Sequence, residues 1–140
     1  LGFYQHTTAA DTAQILRDYF GYPHVEVIYD FSLEDLKKEL RAGRPVIVPL
    51  AGRTVGSPYY TNDGPVYHMV VARGFTKDGR IITNDVGTQH GENYPFDEKV
   101  FFDAIHDVPT SGATWSTTRP EEFILMGRKA MVVVYPAVPS

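Results

Sequence analysis

The sequence predicts one α+β domain over residues 1–140, with an antiparallel sheet, two helices preceding it and one late helix. Two segments with helical periodicity come first, short apolar runs typical of strands occupy the middle, and a late helical segment precedes a last apolar run. Helices and strands in this order favour an α+β arrangement over a parallel doubly wound sheet. A chain of 140 residues suits one hydrophobic core and is not expected to divide into two domains.

The first predicted helix covers residues 9–20. Its apolar residues Ala13, Leu16 and Phe20 recur at three- and four-residue spacing, which is typical of the buried face of a helix. Gly21 follows directly, and glycine is the commonest residue just beyond a helix end.

The second predicted helix begins after Ser32 and ends near Ala42, before Gly43. Serine is a preferred N-cap residue, because its side chain accepts a hydrogen bond from a backbone N–H of the first turn. Acidic side chains come early in this segment and basic ones late, which is the distribution that the helix dipole favours. The expected inward face consists of Leu33, Leu36 and Leu40.

Five apolar runs are predicted to form strands, and the segment at 52–65, rich in Gly, Pro, Asn and Asp, is predicted to be a loop between two of them. The run at 45–50 is continuously apolar, which is typical of a strand buried on both faces. The expected strands cover residues 24–29, 45–50, 67–75, 80–85 and 129–135.

One more helix is predicted from Asp97 as N-cap to about Asp107. Two longer segments, 52–65 and 109–119, are predicted to be loops, and a loop as long as the first one is more often functional than not. The late helix is expected to direct Val100, Phe101, Ala104 and Ile105 inward.

Composition excludes several classes of function. The formal net charge of -4 and the absence of a basic run argue against nucleic-acid binding. No stretch approaches the roughly 20 apolar residues of a membrane span. With no cysteine in the sequence there is no disulfide, no thiolate zinc site and no cysteine nucleophile. No glycine-rich nucleotide motif follows a predicted strand, so no cofactor is expected.

A candidate catalytic pair consists of His68, which opens one predicted strand, and Asp85, which closes the next. If Phe75 pairs with Arg80 across a four-residue loop, Asp85 lies opposite Val70 and is the diagonal neighbour of His68. Diagonal neighbours are about 7–8 Å apart at the backbone, within reach of long side chains. The carboxylate is then expected to accept a hydrogen bond from Nδ1 of the imidazole and to orient it as a general base.

Three alternatives stay open for this pair. A two-residue turn at Asp78 and Gly79 would separate His68 from Asp85 by roughly 13 Å. A histidine near a strand end is often only a structural residue. The third alternative is a metal site built from His68, Asp85, His90 and Glu92, although no H-x-x-x-H spacing supports it.

Aromatic residues surround the predicted pair in the sequence. A tyrosine contributes contact area and keeps a polar tip, which suits the wall of a recognition groove. Ordinary loop packing explains such residues equally well. The residues concerned are Tyr59, Tyr60, Tyr67 and Tyr94, with Trp115 in the later loop.

Three segments together resemble the bacteriocin-processing peptidase-like family of papain-like cysteine peptidases: GRPVIV at 43–48, HMVVARGF at 68–75 and ITND at 82–85. The resemblance covers roughly residues 33–135. It implies a papain-like α+β fold, with His68 as general base and Asp85 as its orienting partner. It also implies a peptide or protein substrate and a bacterial cell-envelope or secreted location, and it leaves the oligomeric state open.

The sequence departs from the family pattern at the nucleophile. The family has a cysteine on an N-terminal helix with a glutamine shortly before it, whereas here Gln5 precedes a helix without cysteine. Asp85 is followed by Val86, where the family often has proline. Two explanations fit: the nucleophile helix precedes Leu1 and is missing from this piece, which is favoured, or the protein is a degenerate relative that binds without cleaving.

A hydroxyl nucleophile is a further possibility in principle. Thr7, Thr8 and Thr12 lie in the appropriate part of the chain, although nothing in the sequence marks any of them. We therefore expect part of a peptidase-like domain that hydrolyses peptide or amide bonds in its intact parent, with a non-catalytic peptide- or protein-binding module as the alternative.

Overall fold

The computed structural model describes residues 7–55, 67–85, 91–109 and 120–136. Within those residues it contains six strands and five helices, in the α+β class that the sequence predicts. None of these helices is long and apolar enough to cross a membrane. The helices are α1 (Ala9–Asp18), α2 (Leu33–Arg41), α3 (Gly52–Val55), α4 (Glu98–Asp103) and α5 (Pro120–Leu125). The strands are β1 (Val25–Tyr29), β2 (Val46–Leu50), β3 (His68–Phe75), β4 (Arg80–Asn84), β5 (Tyr94–Asp97) and β6 (Ala130–Val134).

The six strands form one antiparallel sheet in the order β1-β6-β2-β3-β4-β5. Strand β2 lies inside the sheet, between β6 and β3, and its residues Val46, Val48 and Leu50 are fully buried. Its continuously apolar sequence is explained by this position, because an interior strand has neighbours along both edges and on both faces.

Helices pack on both faces of the sheet. On one face α2 and α4 bury Leu36 and Phe101 against alternate residues of β2 and β3, which forms the larger core. On the other face α1 places Ala9 and Ala13 against β1 and β6. The small alanine side chains let α1 approach the sheet closely.

Both long helices begin with a capping box. In α1 the Thr8 hydroxyl accepts from Asp11 N, and Asp11 accepts from Thr8 N. In α2 Ser32 and Asp35 make the same reciprocal pair. Each box satisfies two backbone donors that the first turn leaves without helical partners.

The β3–β4 hairpin contains a bulge. Near the turn Phe75 is opposite Ile81, which corrects the expected pairing of Phe75 with Arg80. Beyond the bulge, toward His68, Ala72 is opposite Thr83. The expected hairpin has the same pairing there, so the prediction was wrong only on the turn side of the bulge. The extra residue is Arg73, which has no partner across the strand.

Several predicted boundaries and orientations differ from the structure. Helix α1 ends at Asp18, and Phe20 is 68% exposed rather than inward. Helix α4 ends at Asp103, and Val100 is 44% exposed rather than inward. Elements α3, β5 and α5 were not predicted. Pro95 lies within β5, and the sheet accommodates it because β5 is an edge strand.

Candidate functional site

His68 and Asp85 lie together at one end of the sheet. His68 is the first residue of β3, and Asp85 follows the last residue of β4. The His68 Nε2 atom is 2.6 Å from Asp85 Oδ1. The Asp85 side chain is 3% exposed and the His68 side chain 20% exposed, so the carboxylate is enclosed while the imidazole reaches the surface. Such a pair combines a fixed acceptor with an accessible proton carrier.

The imidazole orientation differs from the expected one. Nδ1 was expected to face the carboxylate, whereas the structure places Nε2 there. The two residues are diagonal neighbours, about 7–8 Å apart at the backbone, and the short Asp85 side chain needs the ring nitrogen that extends farthest from the His68 backbone. An ionised carboxylate only accepts hydrogen bonds, so an ionised Asp85 pairs with the form of His68 that carries a proton on Nε2. Any proton transfer to a substrate or nucleophile then uses Nδ1.

Gly91 holds the backbone of Asp85 in place. Asp85 N donates to Gly91 O at 3.0 Å. A Cβ at residue 91 would lie 1.8 Å from Asp85 O and 2.7 Å from Asp85 C. No side chain fits into that space, so close packing of two backbone segments requires glycine there.

A second buried carboxylate, Asp107, joins α1 to the start of β3. Its oxygens accept from Ala9 N at 3.2 and 3.3 Å and from the Tyr67 hydroxyl at 3.0 Å. The Tyr67 hydroxyl also donates to Thr7 O at 2.7 Å. Burial raises the pKa of Asp107, and the hydrogen bonds from Ala9, Val108 and Tyr67 oppose that rise. Burial, followed by the charge of Asp107, raises the pKa of Tyr67.

The threonines considered as nucleophiles have structural contacts. The Thr8 hydroxyl accepts from Asp11 N as the α1 N-cap, and the Thr12 hydroxyl donates to Thr8 O at 3.0 Å. Thr7 contributes its carbonyl oxygen to Tyr67. These contacts give Thr8 and Thr12 a role at the start of α1.

Two other residues named from the sequence, Tyr67 and Tyr94, have contacts with residues other than the pair. Tyr67 directs its hydroxyl to Asp107, and Tyr94 packs edge-on against Phe96 beside the larger core. Within the described part of the chain, no three His, Asp or Glu side chains are placed to hold a metal ion. Four residues fall outside the described ranges, so their predicted roles stay predictions: Tyr59, Tyr60, His90 and Trp115.

Gly91 and Asp107 were not predicted as site residues from the sequence. Gly91 carries no distinguishing motif, and its requirement arises from a contact with a backbone segment that the sequence does not reveal. Asp107 was interpreted only as the end of a helix and the start of a loop. The sequence does not single Asp107 out, because Asp103 is a second acidic residue in the same segment.

Comparison with known proteins places the chain among peptidase relatives. The model of the Peptidase_C39 like family matches residues 3–107. No curated protein matches the sequence. The fold is similar to the crystal structure of a protein from Bacillus anthracis described as a C39-like peptidase, with 16% identity and a TM-score of 0.57. The similarity covers 94% of this chain and 60% of that one, and at this identity it concerns the fold alone.

Proposed function

This chain belongs to the Peptidase_C39 like family, and on that premise we propose that it is part of a domain that hydrolyses peptide or amide bonds by acyl transfer. The observation that carries the proposal is the 2.6 Å contact between His68 Nε2 and Asp85 Oδ1. A histidine held by a buried carboxylate is the general-base arrangement that acyl transfer requires.

In the proposed reaction His68 moves one proton in each half. A thiol attacks the carbonyl carbon of the scissile bond and gives its proton to Nδ1 of His68. Nδ1 then protonates the leaving amine as the C–N bond breaks, which leaves a thioester. Water attacks the thioester in the second half, with His68 again taking the proton and returning it to the thiolate. Asp85 keeps the imidazole oriented and stabilises its charged form.

The thiol in this scheme comes from outside the 140 residues, because they contain no cysteine. The chain spans 60% of the length of the Bacillus anthracis protein that it resembles in fold, so the activity of the whole protein is part of the proposal.

A second candidate function is peptide binding without cleavage. The absence of cysteine favours it, as does the Thr8 hydroxyl, which is engaged in capping α1. In that case the His68–Asp85 pair would be a remnant that contributes to a binding surface.

The first test is the intact mass and N-terminal sequence of the protein as its source makes it, followed by a peptide-hydrolysis assay on that form. We expect a cysteine in the native protein and hydrolysis that His68→Ala abolishes. The matched control is His24→Ala, which changes an exposed histidine that stacks on Tyr135. Equal rates for His68→Ala and wild type would contradict the catalytic proposal. A native protein without cysteine that binds peptides and does not cleave them would favour the second candidate.

A further inference from the structure

The bulge at Arg73 determines which face of the sheet Asp85 occupies. On the turn side of the bulge the pairs are Phe75 with Ile81 and Gly74 with Ile82, and on the other side Ala72 pairs with Thr83. A shift of one residue moves every following side chain to the opposite face of a strand. If the register of the turn side continued along the hairpin without a bulge, Asp85 would lie opposite Val71 and would point away from His68.

Hydrogen bonds connect the bulge to the residue that precedes Asp85. Arg73 Nε donates to Asn93 Oδ1 at 2.7 Å, and Asn93 N donates to Asn84 Oδ1 at 3.0 Å. Asn93 has a φ of 56°, a conformation that asparagine adopts more readily than most residues. The three side chains therefore link the bulge on β3, the end of β4 and the residue before β5.

We propose that Arg73, Asn93 and Asn84, the Arg73 network, position Asp85 for its hydrogen bond with His68. The catalytic use of the His68–Asp85 hydrogen bond rests on the proposed function. The positioning of Asp85 does not depend on that use. The hydrogen bonds that define the network join its three members to one another, so they are positioning residues. Bulges of this kind are common beside active sites, where they redirect a side chain.

Gly91 and the Arg73 network constrain Asp85 in different ways. Gly91 fixes its backbone through the contact between Asp85 N and Gly91 O. The network fixes the register of the strand that leads to Asp85. Loss of the network is therefore expected to loosen the pair without unfolding the domain, particularly because Arg73 and Asn93 are exposed.

Two substitutions at residue 93 distinguish the contribution of the Asn93 side chain from that of its backbone conformation. Asn93→Gly keeps the positive φ and removes the acceptor for Arg73. Asn93→Asp keeps both an oxygen acceptor and tolerance of positive φ, so it is the rescue variant. Arg73→Ala removes the donor of the same hydrogen bond, Arg73 Nε. Arg128→Ala is the control, because it removes an exposed arginine that pairs with Asp30 away from the site.

The readout is the His68 Nε2 proton in nuclear magnetic resonance spectra of the 140-residue chain, measured as its exchange rate with water. We expect exchange about tenfold faster in Asn93→Gly and in Arg73→Ala, and near wild type in Asn93→Asp and Arg128→Ala. Unchanged exchange in Asn93→Gly, with an otherwise native spectrum, would overturn the proposal. This measurement needs no hydrolysis, so a protein that lacks peptidase activity still tests the Arg73 network.

Discussion

His68 and Asp85 are 17 residues apart in the sequence, yet their side chains meet at one end of the sheet with Nε2 and Oδ1 2.6 Å apart. The two groups differ in exposure, since the carboxylate is 3% exposed and the imidazole 20%. A buried carboxylate has little competition from water for its hydrogen bonds, so it orients the ring more strongly than an exposed one would. The imidazole is the more exposed member of the pair, so under the proposed function it is the group that exchanges protons with a substrate.

The first prediction concerns Asp85→Asn in the intact protein. Asparagine has a similar shape but no charge, so it cannot stabilise the imidazolium that forms during proton transfer. We expect kcat to fall on the order of 10²–10⁴-fold with little change in KM. The measurement is steady-state peptide hydrolysis. Asp78→Asn, in the exposed β3–β4 turn, is the control. A kcat within twofold of wild type would remove Asp85 from the mechanism.

The second prediction concerns Gly91→Ala. The new Cβ would lie 1.8 Å from Asp85 O, so one of the two backbone segments has to move. We expect the free energy of unfolding to fall by about 1–3 kcal/mol, as for other overpacked sites. Chemical denaturation measures it. Gly74→Ala is the matched control, because nothing lies within 4 Å of a Cβ at residue 74. Equal stability for the two variants would contradict the prediction that the contact between Gly91 and Asp85 requires glycine.

Local sequence signals predicted the elements whose stability is local. The capping serine and the leucine stripe of α2 appear in the structure as expected, because both depend on residues within one helix. The apolar run of β2 likewise predicted a buried strand, because the pattern lies within five consecutive residues. The same signals placed His68 and Asp85 at adjacent strand ends, and that part of the candidate site is present in the structure.

Features that depend on contacts between distant segments were not predictable. The Arg73 bulge changes the register by one residue, and no residue type at that position marks it. The short elements α3 and α5 have four and six residues, too few for a helical period to be distinguished. Asp107 is another such case: its partners Ala9 and Tyr67 are 98 and 40 residues away in the sequence.

The third prediction separates the two possible roles of the Thr8 hydroxyl. Thr8→Ala removes the N-cap of α1, and we expect a loss of about 0.5–2 kcal/mol in the free energy of unfolding. Thr8→Asn keeps a capping oxygen and removes the hydroxyl, so stability is expected to stay near wild type. Ser32→Ala, at the equivalent position of α2, should cost a similar amount. If Thr8→Asn is stable but abolishes hydrolysis in the intact protein, Thr8 is a nucleophile rather than only a cap.

The fourth prediction concerns the pH dependence that Asp107 gives to stability. Burial raises its pKa in the folded protein above the ordinary value of 3.8, so between these two values the folded state binds more protons than the unfolded state. The stabilising contribution of the protonated group is therefore fully present below pH 3.8 and is lost as the pH rises through the folded-state pKa. Asp107→Asn removes this dependence.

We expect wild type to lose stability relative to Asp107→Asn as the pH rises from about 4, with a slope of at most about 1.4 kcal/mol per pH unit for one proton. Chemical denaturation at constant ionic strength measures the difference. Asp30→Asn is a control of opposite sign, because hydrogen bonding to Arg128 lowers the pKa of Asp30. Parallel pH profiles for wild type and Asp107→Asn would mean that the hydrogen bonds from Ala9, Val108 and Tyr67 offset the cost of burying the charge.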